Sequence, residues 1–524
     1  MDYILSQQIK SDINLYDCLI EKHIRFGNEN NTALLYLNEN ITFGFLKEKS
    51  ELVSAYISEY TKFQDCVVIV TPDTPAFVCC FLACLKIGVI AVPVSPFISS
   101  SELEYILEIT NAKLCIVDEI FYPIVNLQKV KIPVCKTGDF ITRKNELEDI
   151  IHNNKSKVYP TNNKENSIAY CLFSSATTGL PKGIPHKHSD IIYCIDAFSI
   201  YIQKMNMDDI VLSVPKFSFG FGLGGNLISS LLLGAKAILI PDKITPKIII
   251  DAALQYKPTI FLCQPRMLSD ILNTEANFNV FKSLRLTVSA GERLSNSILT
   301  SWNNKVGSGL IDGFGTTEVG HIFISTIPEN HKLNSVGKVL FPYRIEIRDM
   351  DGNNLEIGQI GELWVTGPSL ALRYYNDVDR TNHSFKKGWV RTGDMASIDS
   401  EGFVYLHGRS DSMIKAGCGQ WISPFEIEEI LNGLSYVLEC AVVGFSDEQG
   451  LVQPKAYIVL KEGFIQNKQI VEDIIKLIKD NFPNHDYKHI HHIEFISSLP
   501  RNNNGKLMRQ NLNPRTLNDF SFDC

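Results

Sequence analysis

The chain lacks the features that mark membrane-spanning, secreted and nucleic-acid-binding proteins. Its longest apolar stretch, residues 76–94, is interrupted by Lys86, Gly88 and Pro93, which predicts a buried helix followed by a strand rather than a membrane span. The first residues carry acidic side chains early and contain no apolar core like that of a signal peptide. With a net charge of −8 and no basic stripe, the composition disfavours binding to nucleic acid or anionic membranes. We therefore expect a cytoplasmic protein.

A disulfide framework and a repeat architecture are also disfavoured. The thirteen cysteines are an odd number, are scattered along the chain and lie mostly in apolar surroundings, which predicts packed thiols. No internal repeat and no low-complexity tract is present. The composition, with 45% hydrophobic and 21% charged residues, is that of a folded chain, and 524 residues are too many for one core.

The pattern of apolar residues predicts α/β architecture. Short β-branched runs such as 66–70 and 113–118 alternate with helical patterns, which is typical of layered, mainly parallel sheets. From about residue 350 the pattern becomes β-rich, and the last part of the chain has the size of a small α+β domain of roughly a hundred residues. We expect an N-terminal domain of residues 1–410 and a C-terminal domain of residues 411–524.

One short segment, LFSSATTGLPKG at residues 172–183, has the composition of a phosphate-binding loop. Backbone N–H groups approach oxyanions only where side chains are small, and a lysine adds a point charge. We expect this loop to connect a strand to a helix. It is not a Walker A motif, because Pro181-Lys182-Gly183 stands where Gly-Lys-Ser/Thr would be required. An ordinary polar turn has the same composition, so the segment alone leaves both interpretations open.

Four further motifs follow in order: DGFGTTEVGH (312–321), VRTGD (390–394), GRSDSMIKAG (408–417) and LPRNNNGKLMR (499–509). With these motifs the chain resembles the adenylate-forming superfamily of acyl- and aryl-CoA ligases, adenylation domains and luciferases, from about residue 40 to residue 512. The segments PKFSFGFGLGG, VSAGERL and TTEVGHIFIS are most similar to the benzoate–CoA ligase group. The resemblance implies a large AMP-binding domain and a small, mobile C-terminal domain.

The resemblance also implies a reaction in two halves. A carboxylate attacks the α-phosphate of ATP to give an acyl adenylate and pyrophosphate, and a thiol then displaces AMP to give a thioester. The implied cofactors are ATP, Mg²⁺ and coenzyme A, or the phosphopantetheine of a carrier protein. Such an enzyme works by holding the reactants in line and by neutralising charge.

The matching motif positions supply candidate residues for the nucleotide. The implied phosphate contacts are Ser174, Ser175, Thr177, Thr178, Gly179 and Lys182; the adenine and ribose contacts are Gly291, Glu292, Phe314, Gly315 and Asp394, and Arg409 would contact ribose or phosphate. Ala176 stands where the family usually has glycine. Glu318 matches the Mg²⁺ ligand, which suits a carboxylate because a hard cation prefers oxygen ligands beside phosphate. Thr317 matches a residue that contacts a phosphate oxygen.

Two further matches concern the C-terminal part. Lys506 matches the lysine that bridges the carboxylate and the α-phosphate, and Asp411 matches the hinge about which the small domain rotates. The family usually has eight positions from the lysine after the hinge to a proline, whereas Lys415 to Pro424 spans nine here, with the extra residue near Cys418.

The candidate acid pocket contains no carboxylate between residues 216 and 225. An α-amino acid is therefore disfavoured, because its buried ammonium would lack a counter-charge. We expect an aryl acid such as a benzoate or cinnamate. His321 is predicted to line the pocket or bind a ring substituent, although a satisfied core histidine is the alternative. The expected pocket residues are His186, Phe219, Gly220, Phe221, Gly222 and His321.

Two alternatives stay open at this point. A stand-alone adenylation enzyme would load the acyl group onto a carrier protein, which the extra residue near Cys418 leaves possible. A catalytically silent relative would act as a binding partner, and this is opposed by the charged residues at the motif positions, namely Lys182, Glu318, Asp394, Arg409 and Lys506. We expect a monomer or homodimer, with no nucleic-acid or membrane partner.

The assignment of Lys506 predicts a separation of the two half-reactions. Lys506→Ala should abolish acyl-adenylate formation, because no cation then offsets the two anions that must meet. Thioester formation from supplied acyl adenylate should persist, because the domain rotation removes this lysine before the second half. Single-turnover assays of each half measure this, and equal loss of both halves would contradict the rotation.

Overall fold

The computed structural model of the chain describes residues 12–125, 129–153, 166–176, 179–327, 330–416, 421–446, 452–501, 507–512 and 521–523. Several predicted site residues, or their side chains, lie outside this described part, namely Ser175 (side chain), Thr177, Thr178 and Lys506. The position of the extra residue near Cys418 lies outside it as well.

The first part of the chain alternates helices and strands, as the sequence predicts. In chain order its elements are α1 (Lys22–Arg25), β1 (Thr32–Tyr36), β2 (Glu39–Thr42), α2 (Phe43–Ser58), β3 (Cys66–Val70), α3 (Pro75–Ile87), β4 (Ile90–Pro93), α4 (Ser100–Ile109), β5 (Leu114–Asp118), β6 (Val134–Thr137), α5 (Glu146–Asn153), β7 (Ile168–Ala176), β8 (Gly179–Lys187), α6 (Asp190–Cys194), β9 (Ile210–Ser213), α7 (Gly220–Gly222), α8 (Ser229–Leu233), β10 (Lys236–Ile238), α9 (Pro246–Tyr256), β11 (Ile260–Cys263), α10 (Pro265–Leu272), β12 (Leu286–Ala290), α11 (Asn296–Val306), β13 (Gly309–Gly315), β14 (Ile322–Ser325) and β15 (Lys338–Val339). Helical π-turns at Asp17–Glu21, Ile195–Ile200 and Leu223–Ile228 adjoin α1, α6 and α7.

These strands form two sheets. One has six strands in the order β6-β5-β3-β4-β7-β8, parallel except for the antiparallel β7–β8 hairpin. The other has nine strands in the order β15-β14-β13-β12-β11-β9-β10-β1-β2, with parallel pairing from β1 through β13. The largest buried cluster contains Val67 and Leu114 of the first sheet together with Leu34 and Val211 of the second. The two sheets therefore share one core.

The apolar stretch at 76–94 forms a buried helix and a strand, α3 and β4, as predicted. Every residue of α3 is buried. Thr74 caps the helix through its hydroxyl, and Gly88 ends it in the left-handed conformation with φ 68°. In the described part of the chain, no helix is long and apolar enough to span a bilayer.

The rest of the chain forms a β-rich unit and a small α+β unit. Its elements are β16 (Arg344–Arg348), β17 (Gly361–Thr366), α12 (Val378–Ser384), β18 (Phe385–Lys386), β19 (Trp389–Ile398), β20 (Val404–Arg409), β21 (Ile414–Lys415), β22 (Trp421–Ile422), α13 (Pro424–Asn432), β23 (Val437–Ser446), β24 (Val452–Leu460), α14 (Lys468–Asn481), β25 (His492–Phe495) and β26 (Ser521–Asp523). Strands β16–β20 form an antiparallel sheet, and β23–β26 form a four-stranded sheet.

The last part of the chain has its own core. Ile414, Ile427, Ile458 and Ile474 belong to one buried cluster, which contains no residue of the earlier sheets. This organisation agrees with the α/β fold class and the small C-terminal unit that the sequence predicts. The boundary at residue 410 stays a prediction.

Candidate active site

The segment predicted to bind phosphate is the tip of a hairpin. Strands β7 and β8 pair antiparallel, with Ser174 opposite Lys182 and Leu172 opposite Ile184. The predicted strand-to-helix connection is therefore wrong. The buried side chain of Ile184 keeps the returning chain in the sheet, and the next helix begins only at Asp190. The Ser174 hydroxyl is buried and has no hydrogen-bond partner in the described part of the chain, which leaves it available to an oxyanion.

A tight turn between β13 and β14 carries the residues Thr316, Thr317 and Glu318, which we call the TTE motif, to this hairpin. A side chain at Gly315 would lie 2.4 Å from the carbonyl oxygen of His321, so only glycine fits at that position. The turn brings Glu318, which is 7% exposed, against the hairpin of the other sheet. Lys182 and Glu318, 136 residues apart in the chain, thereby meet across the junction of the two sheets.

Lys182, Glu318 and Tyr374 form a closed cluster, which we call the charge cluster. The Lys182 ammonium lies 2.7 Å from Glu318 Oε1 and 3.0 Å from the Tyr374 hydroxyl. Tyr374 donates a 2.8 Å hydrogen bond to the same Oε1 atom. Burial opposes ionisation of Glu318, but the Lys182 charge together with the hydrogen bonds from Lys182 and Tyr374 outweighs it, and the pKa of the carboxyl is lowered. Burial raises the pKa of Tyr374 to about 12, so its hydroxyl remains a donor.

Tyr374 was not predicted as a site residue. It lies in ALRYYNDVDRT, between β17 and α12, where no periodicity marks it. Tyr374 reaches the site through hydrogen bonds with Glu318 and Lys182, which lie 56 and 192 positions away in the chain.

The predicted adenine contacts lie at the carboxyl ends of neighbouring strands. Gly291 directly follows β12, and Phe314 lies near the end of β13, which pairs with β12 in parallel. Ligands bind at this edge in open α/β sheets. Phe314 is half-buried and meets Phe323 edge-to-face at 5.5 Å. Glu292 accepts a 3.1 Å hydrogen bond from Arg501, which also lies 2.6 Å from Glu439.

The same edge holds a buried carboxyl that sequence reasoning did not single out. Asp312, at the start of the DGFGTTE motif, is 7% exposed, and among the residues that the structure describes one of its carboxyl oxygens has no hydrogen-bond partner. Burial raises the pKa of Asp312 to about 8. Its place at the first position of a recognised motif was the available signal.

The predicted ribose contacts face each other on β19 and β20. Asp394 and Arg409 are register partners, and Arg409 Nη1 lies 3.3 Å from Asp394 Oδ2. Arg409 also donates to the carbonyl of Thr392 at 2.8 Å and lies 3.9 Å from Asp411, the predicted hinge residue. The structure therefore joins these three predicted residues in one charged group at the start of the C-terminal unit.

The predicted acid pocket gathers around His321. Its ring lies 6.0 Å from Phe221 and 5.5 Å from Phe198, between ring centroids. A side chain at Gly224 would meet His321 Cδ2 at 2.8 Å, and one at Gly225 would meet Nε2 at 2.8 Å. Burial lowers the pKa of His321 to about 4, so the ring is neutral at pH 7. Nε2 is buried and has no hydrogen-bond partner among the described residues, so the alternative of a satisfied core histidine is not what the structure shows.

The other predicted pocket residues surround the same helix start. Phe219, Gly220 and Phe221 are half-buried, whereas Gly222 is buried. A side chain on Gly220 would lie 3.1 Å from the carbonyl oxygen of Gly320. His186 is fully buried, with Nε2 2.6 Å from the Thr317 carbonyl, so it supports the TTE turn from behind.

Asp73 anchors the segment that leads into this pocket. Its carboxylate accepts a 3.1 Å hydrogen bond from the backbone N–H of Phe217. Lys216 donates to the carbonyls of Ile240 and Asp242. Burial raises the pKa of Asp73 to about 6, against the opposing charge of Lys216. Sequence reasoning missed this anchor, since Asp73 and Phe217 are 144 residues apart.

Two family profiles match the chain. The profile described as "AMP-binding enzyme" matches residues 22–375, and "AMP-binding enzyme C-terminal domain" matches residues 426–506. The chain belongs to the AMP-binding enzyme family, and its homologues include AMP-forming acid–CoA ligases such as the benzoate–CoA ligases. The resemblance to adenylate-forming enzymes is confirmed.

Two relatives and one crystal structure are similar to the chain over most of its length. Benzoate–CoA ligase of Thauera aromatica is 31% identical over 452 residues, covering 85% of each chain. The 4-hydroxybenzoate–CoA/benzoate–CoA ligase of Rhodopseudomonas palustris is 28% identical over 517 residues, covering 97% of this chain and 95% of that protein. The crystal structure of the anthranilate CoA ligase AuaEII with anthranoyl-AMP superposes with a TM-score of 0.91 at 30% identity, covering 97% and 98%. The predicted likeness to the benzoate–CoA ligase group is confirmed.

The packing of His321 against Gly224 and Gly225 predicts that a larger residue at either glycine lowers the stability of the fold. Gly225→Ala should lower the free energy of unfolding by about 1–3 kcal/mol, because the added methyl overpacks the ring. In a His321→Ala background the same change should cost less than half as much, since the ring no longer opposes the methyl. Denaturant unfolding of the four proteins in this cycle measures the coupling. Equal costs in both backgrounds would contradict the contact.

Proposed function

We propose that the protein is an aryl-acid ligase that converts a benzoate-like acid and ATP into an aryl adenylate and pyrophosphate. The thiol of coenzyme A then attacks the acyl carbon, giving the thioester and releasing AMP. The relatives named above act on benzoate, hydroxybenzoate or anthranilate, which supports an aryl substrate.

The observation that carries this proposal is the contrast between two neighbouring regions. The walls at Phe221 and His321 are aromatic and uncharged, whereas Glu318, three residues before His321, belongs to the charge cluster. An aryl ring fits the apolar region, and its carboxylate then extends toward the charged one, where Lys182 supplies the positive charge. No acidic residue between 216 and 225 is present to pair with a substrate ammonium.

The phosphate side is assigned to the hairpin and the TTE turn. Lys182, Ser174 and Thr317 would hold the phosphates, and Glu318 would hold Mg²⁺. Among the described residues, no group of three or more His, Cys, Asp and Glu side chains is arranged to bind a metal. A single buried carboxylate fits Mg²⁺, which takes one or two carboxylates and completes its shell with phosphate oxygens and water. When bound, the ion would neutralise charge on the phosphates.

The first half-reaction then needs positioning rather than a nucleophilic side chain. The adenine would lie between Phe314 and the Gly291–Glu292 turn, and Asp394 would accept the ribose hydroxyls, since a carboxylate accepts several hydrogen bonds. Holding both reactants near attack distance supplies much of the rate enhancement in such reactions. Lys506 would offset the charge of the carboxylate and the α-phosphate.

The second half-reaction would follow rotation of the C-terminal unit about Asp411. In the present arrangement Arg501 joins that unit to Glu292 of the nucleotide turn, and Arg266 pairs with Glu439 of the same unit. These contacts suit the first half, in which the segment after Arg501 must lie near the nucleotide. Rotation would have to break them.

A substrate panel tests the proposal. Benzoate, 4-hydroxybenzoate, 2-aminobenzoate, cinnamate, hexanoate and phenylalanine are each supplied with ATP and Mg²⁺, with and without coenzyme A. We expect at least one aryl acid to release pyrophosphate about tenfold faster than hexanoate or phenylalanine, because its ring fits the aromatic walls and it carries no ammonium that would need a counter-charge. Mass spectrometry should then find the matching CoA thioester.

The alternatives give different results in the same assay. Pyrophosphate release with an aryl acid but without any CoA thioester would favour transfer to a carrier protein. A preference for hexanoate or phenylalanine would contradict the aryl pocket. No release with any acid would favour a catalytically silent relative.

A further inference from the structure

The charge cluster contains a feature that the proposed reaction does not explain. Both hydrogen-bond donors of the cluster, the Lys182 ammonium and the Tyr374 hydroxyl, meet the same oxygen of Glu318, at 2.7 and 2.8 Å. The Lys182 ammonium also lies 4.6 Å from the centroid of the Tyr374 ring. The carboxylate assigned to a divalent cation is thus already paired with a cation of the chain itself.

The backbone holds Tyr374 in this position from both sides. Tyr375 N–H donates to the Gly183 carbonyl at 2.8 Å, and Ala371 N–H donates to the Glu318 carbonyl at 2.9 Å. The short segment 371–375 therefore links the hairpin of Lys182 to the turn of Glu318. The Tyr374 ring also packs edge-to-face on Phe385, with centroids 5.1 Å apart. These contacts hold the phenol between the hairpin and the turn.

Because both are positively charged, we expect that Lys182 and a divalent cation do not pair with Glu318 at the same time. A divalent cation bound to Glu318 would stand within a few ångströms of the Lys182 ammonium, and at that range two like charges in a partly buried site repel strongly. No further acidic side chain of the charge cluster offsets a second cation. Binding of a metal ion to Glu318 therefore requires Lys182 to leave, and the phosphates of a nucleotide are the anions that draw it away.

We propose that Lys182 occupies the cation position of Glu318 in the nucleotide-free enzyme, so that a divalent cation reaches Glu318 only with a polyphosphate. Tyr374 holds Glu318 in place during the exchange of lysine for metal. This inference rests on the proposed function, which gives Glu318 and Lys182 their ligands. It makes the site selective for the metal–nucleotide complex over the free ion.

Mn²⁺ binding without nucleotide tests the exchange directly, because Mn²⁺ prefers the same oxygen ligands and its free form is counted by electron paramagnetic resonance. The wild-type enzyme should show no binding that depends on Glu318, judged against Glu318→Gln. Lys182→Met removes the internal cation and should bind Mn²⁺ at least about tenfold more tightly than wild type.

Matched variants test whether the tighter Mn²⁺ binding comes from loss of the positive charge at position 182 and depends on Glu318. Lys182→Arg keeps the positive charge and should bind no more Mn²⁺ than wild type. The double variant Lys182→Met/Glu318→Gln should lose the gain. Binding of Mn²⁺ to nucleotide-free wild type that disappears in Glu318→Gln would overturn the proposal, and so would a Lys182→Met variant that binds no more tightly than wild type. The wild-type comparison needs only Glu318→Gln, so it survives poor folding of the lysine variants.

The role of Tyr374 has its own control in the next residue. Tyr374→Phe removes one donor to Glu318 and should raise the Mg²⁺ concentration for half-maximal adenylation about tenfold, with little change in kcat. Tyr375→Phe removes a hydroxyl that meets Cys66 at 3.3 Å and should change neither value. A fall in kcat without a change in Mg²⁺ requirement would contradict the positioning role.

Failure of the lysine–metal exchange can be distinguished from failure of the proposed function. If the substrate panel identifies an aryl acid while free Mn²⁺ binds wild type at Glu318, only the exchange fails. If the panel is silent with every acid, the ligase assignment fails whatever the Mn²⁺ experiment gives.

Discussion

The ion pair between half-buried Lys182 and buried Glu318 is the interaction on which the site depends. Burying a charge is costly unless a partner lies within hydrogen-bond distance, and here the partner comes from the other sheet. The hairpin and the TTE turn can approach each other because the pair compensates both charges and the Tyr374 hydroxyl hydrogen-bonds to both partners. The chemistry that we propose uses the same charges, with phosphate and metal replacing the internal partners.

The surrounding structure divides the site into a charged half and an apolar half. Glycines at 224 and 225 let the helix approach the His321 ring, and burial keeps that ring neutral. Asp73 fixes the segment before the helix through a single backbone hydrogen bond. An aryl carboxylate suits such a division, because its ring and its charge prefer opposite environments.

Sequence reasoning reached the parts of this arrangement that local patterns encode. Apolar periodicity predicted α3, β4 and the alternating sheets, and motif order led to Lys182, Glu318, Phe314 and Asp394. Local patterns could not give the β7–β8 hairpin, since small polar residues are compatible with both a loop and a strand. Nor could they give the contacts of Tyr374 with Lys182 or of Asp73 with Phe217, which arise only when distant segments pack together.

The contacts of Arg501 and Arg266 with Glu292 and Glu439 connect the site to the C-terminal unit. A crystal structure with benzoate, Mg²⁺ and a non-hydrolysable ATP analogue tests the account most directly. We predict the benzoate ring against Phe221 and His321, the adenine beside Phe314, and Lys182 on the phosphates instead of on Glu318. A nucleotide bound elsewhere, or an aryl acid outside this pocket, would contradict the account.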